Sequence, residues 1–362
     1  MNDLLSRLLN LAIAIQQVPA PTFQESQRAG LVRDRFTEEH LPVEIDPAGN
    51  VLARLAGAGE TRPLVVSAHL DTVFPPSVDL HFERQPERVL APGLGDNSLG
   101  VAGLFGLLWA LRERGIALPG DLWLVANVCE EGLGDLKGIK AVVDRFGAEP
   151  LAYLVVEGMA LGQVYHRGLG VRRYRITVRT PGGHSWIDYG QPSAVHELTA
   201  LSARITALEI PRFPRTTLNI GVVSGGSSVN TIAAEAMLEL DLRSEDGATL
   251  TDLAKQVEQL AHAAARPGVE VAADLIGRRP SGEIPASHPL VTLAQDCLRE
   301  VGVEPHLNIG STDANQPLSR GLPAVTVGLT TGGGAHTVHE FINTAPLEKG
   351  LEQLIQLVTK IW

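Results

Sequence analysis

Two cysteines in 362 residues, Cys129 and Cys297, are too few for a disulfide framework and form no CxxC metal knuckle, so they read as two buried reduced thiols. Aromatic residues make up only 4% of the chain, and Ala, Leu and Val must supply the core that 44% hydrophobic residues permit. Basic residues are outnumbered, 30 Lys and Arg against 41 Asp and Glu, which leaves a formal charge of −11. That balance argues against a phosphate backbone as partner, because nucleic-acid binding needs clustered Lys and Arg to release counterions. Small neutral or cationic substrates fit better. No stretch is read as reaching the roughly 20 apolar residues that span a bilayer, so no membrane partner is expected and the cytoplasm is the default location. Residues 1–17 carry apolar side chains at helical spacing, interrupted by Asp3 and Arg7, and no small-residue cleavage site follows. They predict a first helix of the mature protein rather than a leader.

At roughly 150 residues per domain, this length points to two domains. Residues 64–68, 122–128 and 151–156 are apolar runs of strand length, and 99–112 has helical periodicity. Such alternation predicts an α/β sheet with helices on its faces. From Gly168 the character changes. Residues 171–178 alternate basic and apolar, as a strand with one solvated face does. A helix over 194–208, a strand over 217–223, a turn at 225–228, a strand over 236–243, a helix over 249–265 and a strand over 269–276 follow. Strand-helix-strand-strand-helix-strand is the order of a ferredoxin-like split βαβ unit. After Pro280 the first pattern resumes, with a helix over 288–300 and a strand over 324–329. The expected fold is therefore a larger α/β domain, residues 1–167 and 279–362, whose mostly parallel mixed sheet is flanked by helices. An α+β ferredoxin-like domain, residues 168–278, is inserted into it.

Chemistry-bearing residues recur at the predicted strand ends. His69 and Asp71 follow directly on the first buried strand, where an α/β sheet places its ligands, and period two puts both on one side. A metal-bound imidazole needs its other nitrogen held, which Asp71 is near enough to do; a capping Asp beside a solvated His reads the tripeptide equally well. Asp96 precedes the long apolar helix. Asn97 and Ser98 beside it read as caps, but Gly93 and Gly95 suggest a backbone bent to aim one carboxylate, and a bridging carboxylate is what two metals need. Glu130 and Glu131 end the strand 122–128, where adjacent acids repel. One bound to a metal and the other left free as general base would resolve this, a solvated acidic loop being the alternative. Glu157 ends the next apolar strand. His336 and His339, in the run GGGAHTVHE at 332–340, follow another, and either could complete a site. His184 stands in a turn of the inserted domain, where a histidine alone carries little weight.

In order and spacing these segments resemble the M20 family of metallopeptidases over nearly the whole chain. That family includes glutamate carboxypeptidases, tripeptide aminopeptidases, succinyl-diaminopimelate desuccinylases and acetylornithine deacetylases. The stretch GSTDAN at 310–315 resembles the TSDAN of carboxypeptidase-type members. The resemblance implies two Zn2+ per subunit, with Co2+ or Mn2+ also accepted by such donors. His69, Asp96 and Glu157 would hold one, His336, Asp96 and Glu131 the other, with Asp96 bridging. Glu130 matches the general base that deprotonates the shared water and returns the proton to the leaving amine, and Asp71 the residue that orients His69. His336 is preferred to His339 because the family usually sets an acid four positions after its ligand, where Glu340 stands. A cis peptide after Asp96 is part of the pattern, although Asn97 and Ser98 replace the second Asp and the Lys of many members.

His184 matches the lid histidine that, in dimeric members, reaches the partner subunit's active site and stabilises the oxyanion. The inserted domain would then be both lid and homodimer contact. Asn230 and Arg279 lie where the family contacts substrate, and Arg279 could clamp a carboxylate through a bidentate pair. The implied reaction is hydrolysis of a terminal peptide or amide bond of a small peptide through a metal-activated water, with substrate between the domains. An N-acyl-amino-acid deacylase would use the same metal pair. A non-catalytic metal-bound binding protein on this fold is the reading from another class, and the intact Glu130 counts against it.

Overall fold

A computed structural model describes residues 3–362. The chain divides into two compact units, one holding everything up to Gly168 and from Gly282 on, the other Leu169–Ser281.

In the larger unit the strand Leu64–His69 has every residue buried, the mark of a strand covered on both faces. It lies between Leu122–Asn127 and Tyr153–Glu157, and Ala324–Gly328 follows; these four run parallel. Val51–Leu55 and Val43–Ile45 extend one edge antiparallel. Gln163–Gly168 and Gly282–Glu283 extend the other antiparallel, and His306–Gly310 joins Gln163–Gly168 in parallel. The result is the mixed sheet, parallel at its centre, that the apolar runs imply. Its register decides where the chemistry falls. His69 pairs with Asn127, and Ser67 with Val155, so His69 and Glu157 end neighbouring strands at one level.

The helix Leu99–Glu113 is buried at every position from Leu99 to Leu111. With the preceding turn it forms a 20-residue span, Leu94–Glu113, that is long and apolar enough to cross a membrane. This corrects the sequence expectation that no stretch reaches such a length. In this fold 94% of its most apolar window is buried inside the protein, which makes it the central helix of the core. Both cysteines are free and buried, and burial pushes the Cys129 thiol up to about 12 and the Cys297 thiol up to about 11.

In the smaller unit four antiparallel strands lie in the order Thr216–Gly225, Glu235–Ser244, Gly170–Arg179, Glu270–Arg279. The first strand in the chain thus lies between the third and fourth, with Ala194–Thr206 and Gly247–Ala264 as the helices. Three basic residues of the strand Gly170–Arg179 meet acids across the sheet: Arg173 reaches Asp241, Arg175 reaches Glu239 and Arg179 reaches Glu235 at 2.9, 2.7 and 2.6 Å. The opposite face carries Tyr174, Ile176 and Val178, all buried. The strand Glu270–Arg279 pairs with its neighbour as far as Arg279, opposite Val171, so the ladder runs a little past the boundary expected from the sequence.

Candidate active site

His69 is the last residue of its strand, and its ring is fixed from behind. Nδ1 lies 3.0 Å from the carbonyl oxygen of Asp71 and 3.6 Å from its Oδ1. A carbonyl only accepts, so Nδ1 carries the proton and Nε2 is the nitrogen left to face outward. The Asp71 carboxylate, fully buried, is used elsewhere. Oδ1 accepts the Glu130 N–H at 2.9 Å, while Oδ2 accepts the Glu131 N–H at 2.8 Å and the Thr22 hydroxyl at 2.9 Å. Asp71 thus orients His69 through its main chain and holds the Glu130-Glu131 turn through its side chain. Burial opposes its charge, but His69 and the two N–H groups more than offset that and keep its carboxyl low.

Asp96 stands in the turn Leu94–Ser98, between a left-handed Gly93 at φ 71° and a cis peptide to Asn97. Asn97 is wholly buried. Its Oδ1 accepts the N–H groups of Gly100 at 3.1 Å and Gly158 at 2.7 Å, and its Nδ2 donates to the Val156 carbonyl at 2.8 Å. It therefore caps the helix, as its position suggests, and also clasps the end of the strand that carries Glu157. The two Asp96 oxygens face different imidazoles: Oδ1 is 3.0 Å from His69 Nε2, and Oδ2 is 3.0 Å from His336 Nε2.

His336 reaches that point through a small separate sheet. Gly332–Gly333 pairs with Phe341–Asn343, and that strand pairs with Arg88–Leu90, just before the Asp96 turn. Glu340 completes the tie, its buried carboxylate accepting the N–H groups of Gly93, Gly95 and Asp96 at 3.0, 2.6 and 3.0 Å. Burial pushes that carboxyl up to about 7. His336 Nε2 also lies 3.1 Å from Glu131 Oε1, and His69 Nε2 lies 3.7 Å from Glu157 Oε2. His339 is exposed, its N–H donating to Thr337 Oγ1.

His69, Asp96, Glu131, Glu157 and His336 thus gather at one place, and ligand atoms of His69, Asp96 and Glu131 lie within 4.8 Å of one another. With Nδ1 of His69 committed, a neutral ring would aim its Nε2 lone pair at carboxylate oxygens, acceptor against acceptor. Either a proton or a cation must stand between. Burial opposes protonation of His69, but Asp71, Asp96 and Glu157 outweigh it and push the imidazole well above its ordinary value. Hydrogen bonds to Asp96 and Glu131 push His336 up to about 10. Burial would raise the Asp96 carboxyl, yet the two imidazoles hold it well below the usual range, while burial prevails at Glu157 and raises it. Imidazole nitrogens and carboxylate oxygens are the donors that Zn2+ and its neighbours take, so the residues present fit a divalent cation.

Glu130 is buried beside this cluster in sequence, 5% exposed. His184, Asn230 and Arg279 belong to the smaller unit. His184 pairs with Thr231, and the Ser185 N–H donates to the Asn230 carbonyl at 3.0 Å, so the first two share one exposed tip. Arg279 is buried at the end of its strand. Two buried residues escaped the sequence reading as individuals. Asn127 ends a central strand and donates to Asp313 Oδ2 at 2.7 Å, inside the GSTDAN stretch. Burial pushes the Asp313 carboxyl up to about 7. The signal was a polar residue closing an apolar run, as with Glu157.

Comparison with known proteins decides the family. The family model "Peptidase family M20/M25/M40" matches residues 65–360. The chain belongs to this family. It is accordingly a hydrolase of peptide or amide bonds. Among curated relatives, a succinyl-diaminopimelate desuccinylase of Corynebacterium glutamicum is 25% identical over 92% of this chain and 91% of its own. An acetylornithine deacetylase of Erwinia tasmaniensis is 29% identical over 89% of this chain and 88% of its own. The fold is shared with solved M20-type structures. A tripeptidase from Staphylococcus aureus superposes with a TM-score of 0.84 at 22% identity over 99% and 98% of the two chains. The aminopeptidase PepT of Bacillus cereus does so with 0.80 at 21% identity over the same shares, 99% and 98%.

Proposed function

We propose that this M20 hydrolase is a dinuclear zinc exopeptidase that cleaves a terminal peptide or amide bond of a small peptide. The observation that carries the reading is that each oxygen of Asp96 faces a different imidazole Nε2 at 3.0 Å, the arrangement of a bridging carboxylate. His69 and Glu157 would hold one ion and His336 and Glu131 the other, with Asp96 shared. Bound there, such a pair supplies a Lewis acid for the scissile carbonyl and makes water acidic enough to react near pH 7. Glu130 takes the proton from the attacking water and hands it to the leaving amine, so one carboxylate serves first as base and then as acid. Asp71 keeps that carboxylate and Glu131 in register by holding both backbone N–H groups. Asn230 and Arg279 are assigned to substrate contact, and the cytoplasm is the assigned location.

A second reading, hydrolysis of an N-acyl amino acid, is favoured by the relatives named as desuccinylase and deacetylase. Steady-state rates on a panel of dipeptides, tripeptides and N-acetyl or N-succinyl amino acids separate the two. The exopeptidase reading predicts kcat/KM at least about tenfold higher for the peptides, and the reverse order rejects it in favour of the deacylase.

The unit Leu169–Ser281 is assigned the homodimer contact. Trp186, Ile187 and Tyr189, immediately after His184, are 85%, 77% and 90% exposed, and large side chains left in water this way mark an interaction surface. His184 is assigned to oxyanion stabilisation in the partner subunit's reaction. In mixed dimers of a His184→Ala chain and a Glu130→Gln chain, the only intact base and the only intact His184 lie on different subunits. Trans action predicts that the base-bearing subunit keeps near-normal turnover. Turnover as low as that of a His184→Ala homodimer rejects it.

A further inference from the structure

Before the region that the family model matches, residues 16–28 hold on to both chain segments that carry the chemistry. The Thr72 N–H donates to the Ala20 carbonyl at 2.9 Å, and the Thr22 hydroxyl donates to Asp71 Oδ2 at 2.9 Å. Arg28, 1% exposed, gives its guanidinium entirely to main-chain carbonyls: Leu70 at 2.7 Å, Val18 at 2.9 Å and Gln16 at 3.3 Å. Glu25 reaches the other segment. Its Oε1 accepts the N–H of Phe23 at 3.0 Å, the N–H of Cys129 at 3.1 Å and the Cys129 thiol at 3.4 Å.

Glu25 stands at the N-cap of the helix Ser26–Glu38, where an acid ordinarily accepts from its own helix, yet its side chain makes no capping bond. The carboxylate, in a residue 6% exposed, is turned to Cys129 instead. Cys129 has φ 57°, a left-handed conformation that a residue with a side chain keeps only where its surroundings impose it. The following residue is Glu130. Downstream the same turn abuts Thr22 so closely that a Cβ on Gly134 would lie 2.7 Å from Thr22 Cγ2. The backbone carrying Glu130 and Glu131 is thus gripped on one side by Asp71 and on the other by Glu25, and Thr22 and Arg28 hold the Asp71 segment itself.

We propose that Glu25 is a positioning residue of the hydrolytic reaction: its carboxylate holds Cys129 in the left-handed conformation and so aims the Glu130 side chain. The inference rests on Glu130 being the base. What Glu25 contributes is an acceptor oxygen at a fixed place, not a charge, and the variants divide on that difference. Glu25→Gln keeps an oxygen at the same reach; Glu25→Asp keeps the charge but is one methylene short; Glu25→Ala loses both.

The test measures kcat, KM, metal content and melting temperature of the zinc-loaded full chain. Leu357→Ala, a core substitution in another helix, serves as a destabilised control. The expected result is kcat within about threefold of wild type for Glu25→Gln and about 100-fold lower for Glu25→Asp and Glu25→Ala, the scale of a misplacement near 1 Å. KM and metal content should stay unchanged. Should Glu25→Ala not fold, the Asp and Gln pair still decides. Wild-type kcat in Glu25→Asp, equal losses in Gln and Asp, or losses that follow metal content or match a Leu357→Ala control of the same melting temperature overturn the proposal. Absent wild-type turnover on peptides and N-acyl amino acids rejects the hydrolytic reading instead. Crystal structures of wild type and Glu25→Asp then test the grip by itself, and an unmoved Cys129 backbone and Glu130 side chain overturn it.

Discussion

Glu130→Gln should lower kcat by about 10⁴-fold, the upper end of what a general acid–base group contributes, while metal content and KM should remain close to wild type. The expected size follows from the proposed role, in which the group serves twice, on the attacking water and on the leaving amine, and an amide can do neither. The specificity follows from how the turn is held. Glu130 is fixed by its backbone N–H on Asp71 Oδ1 at 2.9 Å, and the next N–H lies on Asp71 Oδ2, so an isosteric side chain leaves both bonds in place. Glu131→Gln makes the contrast. Glu131 Oε1 faces His336 Nε2 at 3.1 Å, and its substitution should lower metal content before it affects anything else. Stopped-flow or steady-state rates beside elemental analysis read both variants. Turnover retained in Glu130→Gln removes it as the base, and metal lost from Glu130→Gln would make it a ligand instead.

Much of this site was legible because a parallel sheet converts sequence position into spatial position. Each central strand is an apolar run, and the polar residue that closes it stands at the same end of the sheet; that rule singles out His69 and Glu157 and also points to Asn127, three positions before Glu130. It fails where the polar residue looks like routine capping. Asn97 caps its helix, and nothing in its sequence position shows that it also clasps Val156 and Gly158. Glu340 entered the sequence reading only as a marker for His336, because its partners, the N–H groups at 93, 95 and 96, are about 245 residues away in the chain. Glu25 and Arg28 lie in the helical region Ser26–Glu38 and its cap, which buries only Arg28, Ala29, Val32 and Phe36 and has too sparse an apolar stripe to stand out. In the smaller unit the alternation of Arg with apolar residues along 171–178 carried the strand assignment, because Arg173 and Arg175 face acids in register while Tyr174, Ile176 and Val178 face the core.

Asp96→Asn should weaken metal binding by more than about 100-fold, since partners that merely orient a ligand are already worth 10- to 100-fold, and should abolish uptake of the second ion. Each Asp96 oxygen faces an imidazole nitrogen, and an Asn can offer an oxygen to only one of them while turning an N–H2 group toward the other. Proton release gives an independent readout. In the metal-free protein the His336 imidazole, pushed up to about 10 by Asp96 and Glu131, holds its proton at pH 7, and His69, raised well above 6.5, holds one too. Both must leave before the nitrogens can ligate. Metal binding to the wild type at pH 7 should therefore release about two protons, and affinity should rise with pH until these groups have titrated. The sign is fixed by the raised values: below them the proton competes with the metal, above them it does not. Titration calorimetry in buffers of different ionisation enthalpy counts the protons, and elemental analysis counts the ions. In Asp96→Asn both counts should fall together. Two ions bound with unchanged affinity, or uptake that releases no protons, would remove Asp96 as the bridge between the two histidines.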